Sequence, residues 1–272
     1  MQTRKLIDGN DKLKLNYLNT ENNFVSGSIR EYDIHSAYLS IIRETNLLQY
    51  FEQYEQKFLN QDFTKLQKKD YLVFIGNMIN KYNWLSDFLH DWLRYLLASF
   101  IDLNNIPVEN VLSIKKDAVF IIGNIAKIRT ISNIDINLKN SYDLWYSFKS
   151  AKKSSKIIEV YSNRDETIIK NLFKSEWKNT IIWLNNELIR KLDSFDLNTR
   201  MKLIESFENK YFSRRFKDIS IYSKNGKTVR TVYGLDVEIE KYKDMNIEEV
   251  DIEETYMQVI RPIIQTYIKE NL

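Results

Sequence analysis

Between residues 84 and 101, apolar side chains fall at positions 84, 85, 88, 89, 92, 93, 96, 97, 100 and 101, a spacing near 3.6 that an α-helix turns onto one face. Asp87, His90, Asp91 and Arg94 form its polar face. A helix of this kind needs an apolar surface to lie on, and the segments flanking it read as strands. Ser28 to Ile34 alternates, and Val108 to Ile122 is rich in β-branched residues. Each segment carries an acid, Asp33 at the end of the first and Asp117 within the second. The reading is an α+β protein: a small antiparallel sheet bearing Asp33 and Asp117, covered by helices and followed by a mainly helical carboxyl-terminal region.

The rest of the pattern fills in that frame. After Asp33 the chain turns into helical spacing from Ser36 to Leu48, carried by Tyr38, Ile41, Ile42, Leu47 and Leu48, and residues 49–80 read as helices or a helical hairpin. Gly123-Asn124 marks a turn into Ile125 to Ile131, which gives a hairpin with Asp117 near its tip. Ile134–Leu138 and Ile157–Tyr161 are further strand candidates. Beyond Asn163 the spacing becomes helical, with Ile169, Leu172, Phe173, Trp177, Ile181, Leu184, Leu188 and Leu192 on one stripe and Leu197, Met201, Ile204, Phe207 and Tyr211 on a second. Asn225-Gly226 predicts a hairpin over 219–233, and Pro262 should kink a last helix from Ile252 to Ile268. The expected organisation is a core over 1–162 with a helical insert at about 44–82, then a mainly helical region over 163–272.

Composition narrows the chemistry. With 40 basic and 37 acidic residues the formal net charge is only +3, so any contact with nucleic acid must be local rather than spread over the surface. The absence of cysteine and the presence of only two histidines, His35 and His90, exclude disulfides, thiolate sites and histidine-rich zinc centres. A hard divalent ion held by carboxylate oxygens remains open. No apolar run follows the charged residues at the amino terminus, and no stretch reaches the roughly 20 apolar residues of a membrane span. A cytoplasmic protein is expected. Many Lys, Asn and Ile with 6 Gly and 2 Pro fit an AT-rich coding sequence, as in low-GC bacteria and many of their phages, in which case the compartment is the host cytoplasm.

Two motifs carry a resemblance. Tyr32-Asp33-Ile34-His35-Ser36-Ala37-Tyr38-Leu39-Ser40-Ile41-Ile42 resembles the first palm motif of family B DNA polymerases, Asp-x-x-Ser-Leu-Tyr-Pro-Ser-Ile-Ile, with Ala37 and Leu39 replacing Leu and Pro. Lys115-Lys116-Asp117-Ala118-Val119-Phe120 is similar to that family's Tyr-x-Asp-Thr-Asp-Ser-Val-Phe motif, with Asp117 at the second Asp, Lys115 in place of the first and Ala118 in place of Ser. The resemblance covers roughly residues 25–125 and leaves no room ahead of it for a proofreading exonuclease. It implies a palm whose Asp33 and Asp117 are catalytic and bind Mg²⁺ or Mn²⁺, with nucleic acid and a nucleoside triphosphate as partners. Tyr38 would lie under the sugar of the incoming nucleotide, and Ser36 would share the substrate-binding turn. The fingers motif, Lys-x-x-x-Asn-Ser-x-Tyr-Gly, is matched poorly by Lys68-Lys69-Asp70-Tyr71 and the residues after it, which leaves Lys68 or Lys69 as the triphosphate contact.

Other readings stay open beside this one. Lys115 and Lys116 could pair with Asp117 and replace the charge of a metal, or contact a nucleic-acid backbone. A palm fold without catalysis would serve as a nucleic-acid-binding or structural subunit of a phage replication, transcription or virion assembly, with a protein partner. In the plainest reading the aromatic helices pack on a partner and the motif match is accidental. Lys149, Lys152 and Lys153, with Lys156 and the neighbouring Trp145, Tyr146 and Phe148, form the segment best suited to a single strand by charge and stacking. Replacing Lys152 and Lys153 by Ala is expected to weaken binding of single-stranded DNA or RNA and to flatten its salt dependence by up to about two units of slope; fluorescence anisotropy across a salt series measures both.

Overall fold

The computed structural model describes residues 6–8, 12–61, 68–150, 156–172, 174–216 and 251–271; the expected hairpin over 219–233, and Lys152 and Lys153, lie outside them. The architecture is α+β, with an antiparallel sheet and helices. The chain divides into two compact units, residues 1–21 with 27–142, and residues 22–26 with 143–272. The division falls within two strands, at 26/27 and at 142/143.

In the first unit the strands lie in the order β1 (Asn16–Leu18), β3 (Val111–Lys115), β4 (Ala118–Ile122), β2 (Phe24–Ile34), then the leading part of β5 (Ile136–Lys149). Within Val108 to Ile122, a 3-10 turn at Val108–Asn110 precedes a hairpin of β3 and β4 with Asp117 in its loop. The expected second arm, Ile125 to Ile131, is irregular instead. Side chains satisfy its backbone in place of a ladder: the Arg129 N–H donates to Asn104 Oδ1 (2.9 Å), Asn104 Nδ2 donates to Arg129 C=O (2.9 Å), and the Ile125 N–H donates to the Tyr32 hydroxyl (3.3 Å).

The helices of this unit follow the sequence pattern closely. They are α1 (Ala37–Glu44), a 3-10 turn at Leu47–Tyr50, α2 (Gln53–Leu59), α3 (Lys68–Lys81) and α4 (Asn83–Leu103). α4 buries Leu85, Leu89, Leu93, Leu96, Leu97, Phe100 and Ile101 against a core that includes Tyr32, Ile34, Ile41, Ile42, Ile114 and Val119. Trp84 and Tyr95 remain about half exposed, so the apolar stripe is wider than the buried one. Arg43 ties α1 to the end of α2, donating from Nε and Nη2 to Leu59 C=O (3.2 and 2.7 Å) and from Nη2 to Gln61 C=O (3.1 Å). These are carbonyls that a helix end leaves without intrahelical donors. Glu52 and Glu55 form a reciprocal capping box at the start of α2.

In the second unit the first residues of β2 adjoin β5, followed by β6 (Ile157–Ser162) and β7 (Thr167–Lys170). Residues 167–170 were expected to begin a helix. They pair instead with Glu159–Ser162, as the β-branched run Thr167-Ile168-Ile169 favours. Helices α5 (Trp177–Leu184), α6 (Arg190–Leu192), α7 (Leu197–Phe212), α8 (Ile252–Thr255) and α9 (Arg261–Asn271) complete it. A π turn at Asn185–Ile189 joins α5 to α6, and another at Tyr256–Ile260 joins α8 to α9. The second lies just before Pro262, where the missing N–H makes a regular α ladder impossible.

The core of this unit gathers Tyr146, Phe148, Trp177, Ile181, Phe207, Tyr211, Val259, Ile263 and Tyr267. Trp145, Tyr146 and Phe148 are thus buried at 0%, 0% and 3% exposure and cannot serve as a stacking platform for bases. The Leu89→Ala variant, which removes a fully buried side chain from the face of α4, is expected to lose about 2–5 kcal/mol of unfolding free energy, read from the midpoint of a urea titration.

Candidate functional site

The site grows from the pairing of β2 with β4. Asp33 sits opposite Ala118 in the ladder, and the Ile34 N–H donates to the Asp117 carbonyl at 3.0 Å. Asp33 is thus the penultimate residue of β2, and Asp117 the last residue of the loop that enters β4. That loop holds only Lys116 and Asp117, between the paired residues Lys115 and Ala118. Lys116 takes φ +55°, a positive angle of the kind that two-residue hairpin loops need at their first position. A side chain there is strained where glycine would not be. Ser36 shows the same feature, with φ 47° and ψ 48° at the N-cap of α1 and no side-chain cap bond. The left-handed turn at Ser36 swings the chain from strand to helix within two residues and brings Tyr38 to the same end of the sheet.

The charges converge. Burial first, and then the negative charge of nearby Asp33, push the Asp117 carboxyl up, with Lys139 and Lys116 opposing. Lys139, from the leading part of β5, donates to Asp33 Oδ2 at 2.8 Å and lies 3.8 Å from Glu31 Oε1. Burial alone would lower the Lys139 ammonium, but the hydrogen bond and charge of Asp33, with Glu31 and Asp117, hold it above the ordinary lysine range. Glu31 is 5% exposed. Its Oε2 accepts from Asn140 Nδ2 (2.8 Å) and from the Tyr142 hydroxyl (2.9 Å), which satisfies much of a buried charge.

Tyr38 forms the opposite wall. Its hydroxyl shares a 3.2 Å hydrogen bond with His90 Nε2 from α4, and burial followed by the charge of Asp117 raises its pKa. Tyr71 of α3 stands behind it, accepting the Leu39 N–H at 3.0 Å. Its phenol is pushed up to about 12, chiefly by burial.

Of the residues singled out in the sequence, Asp33, Asp117 and Tyr38 come together, with Ser36 at the turn between them. Lys116 is exposed on the hairpin loop, where its charge acts on Asp117, and Lys115 is half-buried at the end of β3. The ammonium bound to Asp33 belongs to neither of them; it is that of Lys139. Lys69 is exposed in the first turn of α3, Lys68 opens that helix, and Lys149 ends β5 in the second unit. Lys139, Glu31, Asn140, Tyr142, His90 and Tyr71 were not signalled.

The donor set is oxygen-rich but small. Among the described residues no group of three or more His, Cys, Asp or Glu side chains converges as a metal cage. Two neighbouring carboxylates, Asp33 and Asp117, nevertheless fit a magnesium-like ion, which keeps several waters and takes one or two protein carboxylates together with substrate phosphates.

A family model described as Bacteriophage PBS1 gene 130 protein matches residues 8–198, a span that contains every residue of this site. No curated protein matches the chain. No described helix is long and apolar enough to cross a membrane.

The Asp117 carboxyl generates a stability prediction. Its folded-state pKa is raised, so its contribution is fully present below the unfolded-state pKa and is lost as pH rises through the folded one. At neutral pH the ionised group therefore opposes folding. Asp117→Asn is expected to raise the melting temperature at pH 7 by about 1–2 °C and to show no gain at acidic pH below both pKa values, as scanning calorimetry at the two pH values would record.

Proposed function

The chain belongs to the bacteriophage PBS1 gene 130 protein family, and on that premise we propose that it is a phage-encoded, minimal DNA-polymerase-like nucleotidyltransferase working in the host cytoplasm. The observation that carries this reading is the convergence of Asp33 and Asp117 at one end of a β2·β4 ladder, with Tyr38 beside them. It supports a reaction in which a terminal hydroxyl attacks the α-phosphorus of a nucleoside triphosphate and pyrophosphate leaves.

In this reading Asp33 and Asp117 would hold Mg²⁺ or Mn²⁺, which when bound would supply positive charge to the attacking hydroxyl and to the leaving group. Tyr38 is held by His90 and offers a ring face to the sugar, while the turn at Ser36 fixes its position. Lys68 or Lys69 supplies a cation to the triphosphate, and Lys115, Lys116, Lys149, Lys152 and Lys153 contact the nucleic-acid backbone. With so little covalent chemistry to perform, the protein acts mainly by placing charge.

A second reading rests on one observation. Lys139 already neutralises Asp33 at 2.8 Å, as in a palm-derived subunit that has lost its metals and retains only nucleic-acid or protein binding in a phage assembly. The two separate in a paired experiment. Mn²⁺ titration by calorimetry is expected to show binding that Asp33→Asn and Asp117→Asn each abolish, since neutral amides cannot supply the charge. Labelled primer–template with all nucleotides is expected to show slow extension, reduced at least about tenfold in Asp117→Asn. Strand binding with neither metal binding nor extension would establish the non-catalytic subunit instead.

A further inference from the structure

Lys139 occupies a position that the proposed reaction does not explain. Its ammonium lies 2.8 Å from Asp33 Oδ2 and 3.8 Å from Glu31 Oε1, against the carboxylate that a divalent ion would need. A cation of charge +1 and one of charge +2 repel each other when both are held against that oxygen. Lys139 is also free to leave. Its side chain is 51% exposed, on a flexible stem that can carry the charged head outward. Glu31 does not depend on it, because Asn140 and Tyr142 hold Oε2 independently.

We propose that Lys139 is a built-in counter-ion of the site, displaced from Asp33 when a divalent ion binds and then transferred to a phosphate group of the incoming ligand. This rests on the two-carboxylate reading above. The displaced ammonium remains near a strongly negative ligand that the ion also attracts, so metal and polyphosphate bind together more tightly than either does alone. Lys139 thereby couples the two: without phosphate it keeps the acids neutralised and the metal weakly held, and with phosphate it turns from competitor to partner. The coupling must be reciprocal, with phosphate raising metal affinity by the same factor that metal raises phosphate affinity.

The test is Mn²⁺ binding by electron paramagnetic resonance on the full chain, with and without pyrophosphate, for wild type, Lys139→Ala, Lys116→Gly and Asp33→Asn. Lys116→Gly removes an equal charge that also acts on Asp117, and places glycine where φ is +55°, so it controls for net charge in a folded protein. Without pyrophosphate, Lys139→Ala is expected to bind Mn²⁺ about tenfold more tightly than wild type, and Lys116→Gly less than about threefold more tightly. Pyrophosphate should strengthen Mn²⁺ binding in wild type and lose most of that effect in Lys139→Ala. If wild type binds, Asp33→Asn does not, and Lys139→Ala behaves like wild type or like Lys116→Gly, the counter-ion role is overturned while the metal site stands. If neither wild type nor Lys139→Ala binds Mn²⁺, both are overturned.

Discussion

A single backbone hydrogen bond, from the Ile34 N–H to the Asp117 carbonyl at 3.0 Å, sets the geometry on which the candidate site depends. It closes the β2·β4 ladder at the point where β2 ends and the hairpin loop begins, and so fixes two acids from residues 84 positions apart in sequence. Period-two alternation then separates the faces of β2: Tyr32 and Ile34 enter the core, while Glu31 and Asp33 face Lys139 and its neighbours. A slip of one residue in that pairing would bury Asp33 and expose Ile34. The core beneath the sheet therefore enforces the register that the acids require.

The charges at that corner are unevenly balanced: Asp33 is paired with Lys139 and Glu31 is hydrogen-bonded to Asn140 and Tyr142, whereas the Asp117 carboxylate opposes folding. Ser36 and Lys116 add backbone strain, each with a positive φ. They persist because α1, α4 and the hairpin are held by apolar contacts that have nothing to do with the charges.

The first unit was legible where burial is one-sided. The periodicity of residues 84–101 exposed α4 because a single face is buried, and the alternation of Ser28 to Ile34 exposed β2 for the same reason. β5 was largely missed because its two halves lack that contrast: Asn137 to Ser141 carries no apolar alternation, and Leu144 to Phe148 is buried at every position. The run Trp145-Tyr146 next to lysines therefore read as a surface for bases, whereas Tyr146 bonds to Asn185 inside a core. Asp33, Tyr38 and Asp117 were found because their local motifs are continuous in sequence. Lys139, 106 residues from Asp33, carries no such local mark and becomes visible only once β5 is folded beside β2.

The family match spans residues 8–198, yet the second core draws Phe207, Tyr211, Val259, Ile263 and Tyr267 from beyond it. Trp177, Ile181 and Leu184 are fully buried in that core, and these later residues are part of what covers them. A chain shortened to the matched span would retain both acids and still fail as a material, presenting an aromatic face that other copies would coat.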